Sequence, residues 1–176
     1  MHLAHSSARS FLAVALALIA SAAPAAAQQQ QPRCSAPEHR QFDFWVGAWE
    51  VRTPDDRLAG RNVIEPILDG CALRERWTGA GGVAGTSFNI WDRTRRGWHQ
   101  TWVDSNGMLL QLDGGLQGDA MVMEGTTLGR DGAPVRNRIT WTPLESGDVR
   151  QLWEVSSDDG ASWNTIFDGR YVRVTP

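Results

Sequence analysis

The strongest constraint in this chain is its two-residue period. From about residue 48 onward, apolar and polar residues alternate in short runs, and a turn signal closes each run. The signals are Pro54-Asp55-Asp56, Asp69-Gly70, the stretch 79–82, Arg95-Arg96-Gly97, Asn106-Gly107, Gly118-Asp119, Asp131-Gly132, Ser146-Gly147 and Asp159-Gly160. Period-two alternation marks a strand with one buried face, and Gly, Asn, Asp and Pro supply the backbone angles of tight turns. About ten candidate strands lie between these signals, at 48–53, 60–68, 71–78, 84–92, 97–104, 107–113, 119–127, 134–143, 148–157 and 162–174. Links this short join antiparallel neighbours. Strands in meander order curl and close, because closure removes exposed edges. The pattern predicts an all-β fold, an antiparallel up-and-down β-barrel of about ten strands. A two-sheet sandwich is the other arrangement it permits.

A different pattern precedes the strands. Ser35-Ala36-Pro37-Glu38 has the form of a capping box with proline in the first turn. His39, Phe42, Trp45 and Val46 follow at helical spacing, and Gly47 stops the pattern. This predicts one short amphipathic helix over about 36–46, lying across one mouth of the barrel.

Residues 1–27 read as a secretory signal peptide. The first ten residues carry basic groups and no acid, 11–20 is an apolar run too short to span a bilayer, and Ala25-Ala26-Ala27 offers small residues for cleavage after Ala27. The expected location is periplasmic or secreted, with no stable membrane insertion after cleavage; an uncleaved anchor is the alternative. Residues 28–35 are expected to form a polar, disordered leader, and 36–176 a single β-barrel domain long enough for a sizeable core. Export would place Cys34 and Cys71 in an oxidising compartment, where one disulfide is the default. Free or redox-active thiols are the alternative, though no C-x-x-C is present. Formal charge is −3, every basic residue other than histidine is arginine, and there is no basic tract, so nucleic acid is not an expected partner.

Alternation also says what the barrel would enclose. The chain has 9 tryptophans against 5 phenylalanines and 1 tyrosine. Trp77, Trp98, Trp102, Trp141 and Trp153 occupy matching strand faces. Turning them inward brings in Glu75, Gln100, Asp104, Asn137 and Gln151. A barrel of about ten strands is wide enough to hold a ligand among such side chains. These ten residues form the candidate ligand-binding set. Trp91 falls in a strand that alternates ambiguously and stays unassigned.

Gly47-Ala48-Trp49 resembles the opening G-x-W signature of lipocalins and other calycins. The resemblance implies that Trp49 closes one end of the barrel beneath an arginine of the last strand, either Arg170 or Arg173. The longer string Phe42-Asp43-Phe44-Trp45-Val46-Gly47-Ala48-Trp49 resembles an uncharacterised family of secreted bacterial proteins. Blocks 70–77, 98–104, 138–142 and 150–156 extend that likeness over nearly the whole mature chain. It implies a calycin-like barrel and assigns no activity or catalytic residues.

Other motifs have a structural and a functional reading each. Ser156-x-Asp158-x-Gly160-x-Ser162-Trp163 matches the Asp-box of sialidase hairpins. Because it occurs once rather than blade after blade, it reads as a stabilised turn. Glu75 and Asp104 form either an acid–base carboxylate pair or part of a structural network. His99 would be the axial ligand of a haem-binding barrel, but its strand faces it outward if the tryptophans face in. No metal-ligand spacing, nucleophile elbow or phosphate loop is present, so neither a metal nor a cofactor is expected. Arg93, Arg95 and Arg96 form either a solvated turn or a basic rim that attracts anions. Three functions compete: binding a small hydrophobic or aromatic molecule inside the barrel, an isomerase or hydrolase using Glu75, and an envelope interaction module with a filled interior.

Overall fold

The computed structural model describes residues 33–174. The expected signal peptide, its cleavage site and residues 28–32 of the leader lie outside the described residues. The described part is built from ten strands: β1 (Gly47–Arg52), β2 (Leu58–Ile67), β3 (Ala72–Gly79), β4 (Ala84–Asp92), β5 (Gly97–Asp104), β6 (Leu109–Gln117), β7 (Ala120–Leu128), β8 (Pro134–Pro143), β9 (Val149–Ser156) and β10 (Asn164–Arg173). Each pairs antiparallel with the next, and β1 pairs with β10, so the sheet closes into a barrel and not a sandwich. The largest boundary difference is in β6, which runs on through Gly114 and Gly115. A Cβ on Gly114 would sit 2.7 Å from Cα of Met123 on β7, so this glycine permits a close backbone approach inside a strand.

The segment before β1 is helical, but as two 3₁₀ turns, Pro37–Arg40 and Asp43–Trp45. The capping box does not form: Ala36 takes the N-cap position and no side chain caps it. His39, Phe42 and Trp45 lie three residues apart and are all buried. That spacing is the period of 3₁₀ winding, so one face of the segment turns wholly inward. Phe42 stacks on Trp45 at 4.8 Å between centroids. Its edge meets Trp98 at 5.6 Å and Trp141 at 5.2 Å. The segment therefore plugs one mouth.

Several contacts lock the plug. Cys34 and Cys71 form a disulfide with Cα atoms 5.1 Å apart, joining the start of the segment to the turn before β3. Arg40 donates to the carbonyl of Gly70 in the same turn. The Trp49 indole donates to the carbonyl of Trp45 at 3.0 Å. Arg173 lies over the Trp49 ring at 4.2 Å and is the arginine that the G-x-W resemblance implied. Arg170 instead pairs with Asp148, its Nε 2.8 Å from the carboxylate. Gly47 takes a φ of 150°, which residues with a Cβ rarely adopt, and this explains the glycine of G-x-W; a Cβ there would also meet the Arg173 guanidinium.

The outer wall carries cross-strand ion pairs, among them Glu65 with Arg74, Glu124 with Arg136 at 2.7 Å, Glu154 with Arg138 at 2.9 Å and Asp168 with Arg150 at 2.7 Å. The Asp-box is a hairpin lock between β9 and β10. Asp158 accepts from the Ser162 hydroxyl at 2.6 Å and the Ser162 N–H at 2.9 Å, and these bonds with that of Ser156 hold its carboxyl down at about 2. Trp163 lies under Arg138 at 4.0 Å. No helix among the described residues is long and apolar enough to cross a membrane.

Candidate functional site

Up-and-down order divides the turns between two ends. Turns 53–57, 80–83, 105–108, 129–133 and 157–163 lie opposite the plug, while 68–71, 93–96, 118–119 and 144–148 lie beside it. A cavity of about 190 Å³ occupies the interior toward the unplugged end. Eight of the ten candidate residues line it: Glu75, Trp77, Gln100, Trp102, Asp104, Trp141, Gln151 and Trp153. Val83, Leu110, Ile139, Phe167 and Tyr171 complete the wall.

Register explains why these side chains meet. Cross-strand partners share a face, and the pairs Glu75–Ser87, Ser87–Trp102, Trp77–Gly85, Gly85–Asp104, Trp141–Gln151 and Trp153–Phe167 all fall on the inner one. Small residues make room for the large ones. A Cβ on Gly60 would lie 2.6 Å from the Trp77 ring, one on Gly85 would overlap the Trp102 ring, and one on Gly169 would lie 2.6 Å from the Phe167 ring.

Two candidates lie elsewhere. Trp98 packs at the plugged end, 2% exposed, with its indole donating to Gln41 at 3.2 Å. Asn137 is buried on the same face of β8 as Ile139 and Trp141, where it donates to Thr127 at 2.9 Å and accepts from the Trp153 indole at 3.0 Å. It positions a wall residue and does not itself line the cavity.

At the inner end a polar chain crosses the barrel. Gln100 donates to Asn89 at 2.7 Å, Asn89 to Ser87 at 2.9 Å, and Ser87 to Oε2 of Glu75 at 2.6 Å. Asn62 donates to Oε1 of Glu75 at 2.6 Å and to the Tyr171 hydroxyl at 3.3 Å, and Tyr171 donates to Gln151. Glu75 is 5% exposed. Burial raises its carboxyl to about 7, against the pull of the Ser87 and Asn62 hydrogen bonds. Burial, together with the nearby Glu75 charge, also keeps the Tyr171 hydroxyl protonated well beyond its usual range. The buried Asn62 carbonyl oxygen and Trp141 indole nitrogen have no partner among the described residues.

Glu75 and Asp104 share the cavity but not one task. Asp104 Oδ1 accepts from the backbone N–H of Asn106 at 2.9 Å and of Met108 at 3.1 Å, so it holds the β5–β6 turn at the rim. His99 is on the outer wall, with its ring nitrogens 2.8 Å from Asp113 and 2.9 Å from Thr101, facing away from any interior ligand. Among the described residues no group of three His, Cys, Asp or Glu side chains is placed to hold a metal ion. Arg93, Arg95 and Arg96 belong to the β4–β5 turn beside the plug, so they do not form a rim for this cavity. Arg93 and Arg95 instead line a surface cleft with His39 and the half-buried Trp91, next to the disulfide.

No protein-family model matches the chain, and no curated protein matches it either. The closed antiparallel barrel is consistent with a calycin-like fold. The inward polar residues Asn62, Ser87 and Asn89 and the wall residues Phe167 and Tyr171 escaped the candidate set, which followed tryptophan. Their signal was present: each sits in phase with a glycine or apolar residue on an inner face, as in Gly60-x-Asn62-x-Ile64 and Phe167-x-Gly169-x-Tyr171.

Proposed function

We propose that this barrel binds a small, largely apolar or aromatic molecule in its interior cavity. The observation that carries the reading is a cavity of about 190 Å³ walled by Trp77, Trp102, Trp141 and Trp153, with a buried carboxyl at its inner end. Size limits the ligand. An apolar cavity of roughly 150 Å³ accommodates benzene, and drug-sized ligands need roughly 300 Å³ or more. A molecule of one or two rings fits this space; a long acyl chain or a haem does not. Indoles supply contact area at low entropic cost. Polar groups orient the guest: Gln100 spends its amide N–H on Asn89 and keeps its carbonyl free, while Gln151 spends its carbonyl on Tyr171 and keeps its amide N–H. The disulfide supports a site of action outside the reducing cytoplasm, as the signal-like residues 1–27 suggest.

Indole fluorescence titrated with a panel of one- and two-ring compounds tests this. Saturable one-to-one binding that Leu110→Trp abolishes by filling the cavity is expected. Binding unchanged by that filling would move the site elsewhere.

One observation favours a second reading, an enzyme. Glu75, raised to about 7, is poised for proton transfer at neutral pH. Glu75→Gln would then abolish turnover in a barrel that still folds. The interaction-module reading needs a filled interior, and the cavity argues against it.

A further inference from the structure

The electrostatics of the wall narrow the ligand class. Among the described residues, two ionisable side chains other than Tyr171 line the cavity, Glu75 and Asp104, and both are acids. Among the described residues no arginine or histidine lines it, and the chain contains no lysine. On the outer wall the acids of β2, β7, β9 and β10 are matched to arginines on neighbouring strands. Glu75 is buried, and the groups packed against it from β2, β4 and β10 are neutral: Asn62, Ser87 and Tyr171. Its carboxylate has hydrogen-bond donors but no counter-charge, and an ion in that position is costly. Around it stand four indoles, whose electron-rich faces attract cations and repel anions.

We infer that the ligand carries an organic ammonium group, seated among Trp77, Trp102, Trp141 and Trp153 with Glu75 as its counter-charge. This rests on the binding reading above and specifies the chemistry of the same site. A cation gives Glu75 the counter-charge that Asn62 and Ser87 do not provide, and it gains cation–π contact from the wall. A neutral guest leaves Glu75 to take up a proton or stand as an unpaired carboxylate, and an anion meets two acids. Asp104 at the rim adds attraction as the cation enters, although its Oδ1 stays committed to the turn. A trimethylammonium group on one aromatic ring is of a size that a cavity of about 190 Å³ admits.

The test uses two probes of the same shape, phenyltrimethylammonium and tert-butylbenzene, which differ in a single atom, N⁺ for C. Each is titrated into the oxidised protein at pH 8 and followed by indole fluorescence. The expected result is a Kd for the cation lower by about tenfold or more, with the gap collapsing in Glu75→Gln. Equal affinity for the two probes, or tighter binding of tert-butylbenzene, overturns the ammonium assignment and leaves the apolar-ligand reading standing. Saturation by neither probe up to millimolar concentration overturns both. A gap that survives Glu75→Gln removes Glu75 from the role of counter-charge. The comparison on the unsubstituted protein does not depend on that variant folding.

Discussion

The indole N–H of Trp153 donates to Oδ1 of Asn137 at 3.0 Å, and Asn137 in turn donates to Thr127. One side chain thus ties β8 to β7 and β9 and fixes the rotamer of a cavity wall. Asn137→Ala leaves the Trp153 donor without its acceptor, at an expected cost of about 1–3 kcal/mol, measurable by urea unfolding. Ligand affinity falls as well, because the wall loosens. The double variant with Trp153→Phe separates positioning from contact: if Asn137 acts through Trp153, the two losses of affinity are strongly non-additive.

Glu75 sets the pH dependence of stability. Its folded value of about 7 lies above the ordinary value of 4.5, so the folded state holds the proton more tightly than the unfolded chain. The stability gained is fully present below about 4.5 and is lost as pH rises through about 7. A shift of this size corresponds to something on the order of 3 kcal/mol for a buried group. Urea midpoints measured from pH 5 to pH 8 should fall as pH rises, and Glu75→Gln should flatten that slope. A slope unchanged by the substitution would mean that another group titrates.

How far the sequence disclosed this site follows from what alternation encodes. Period two and turn chemistry identify strands, order and inward faces, and with them the barrel and the wall from Glu75 to Trp153. Alternation does not encode depth along the barrel axis. Trp98 and Trp102 share a face on β5, yet Trp98 lies beneath the plug and Trp102 in the cavity wall. The same blindness hides which end a turn occupies until strands are counted, and the Arg93 turn falls beside the plug. The contact that Asn137 makes is hidden for a different reason. It is inward and buried as alternation requires, but the hydrogen bond that joins it to Trp153 depends on side-chain conformation. The plug was legible as an inward face and not as a winding, because His39, Phe42 and Trp45 suit both a helical period and a 3₁₀ one.

The disulfide holds the plug closed. Cys34 and Cys71 are separated by 37 residues, a loop whose closure is worth roughly 4 kcal/mol by chain entropy. The paired substitution to serine should lower stability by about 2–4 kcal/mol and expose the Phe42–Trp45 stack first. Hydrogen exchange that rises in 37–46 while β7 to β9 stay protected is the expected pattern. Uniform loss of protection would show that the plug and barrel unfold as one unit.

Gly60 and Gly85 both make room for an indole, and alanine at each should act differently. A Cβ on Gly60 meets the backbone carbonyl of Thr78 at 2.6 Å as well as the Trp77 ring, and a paired strand cannot easily retreat. Gly60→Ala should therefore cost about 1–3 kcal/mol of stability, as overpacking does. The nearest atoms to a Cβ on Gly85 all belong to the ring of Trp102, which is half-buried and borders open space. That ring can turn into the cavity, and alanine also reduces the freedom of the unfolded chain by about 0.4–1 kcal/mol in favour of folding. Gly85→Ala should leave the urea midpoint nearly unchanged and weaken ligand binding by about tenfold or more, the cost of occupied volume. If Gly85→Ala instead destabilises the barrel while binding persists, Trp102 is fixed framework and the cavity does not take its ligand beside that ring.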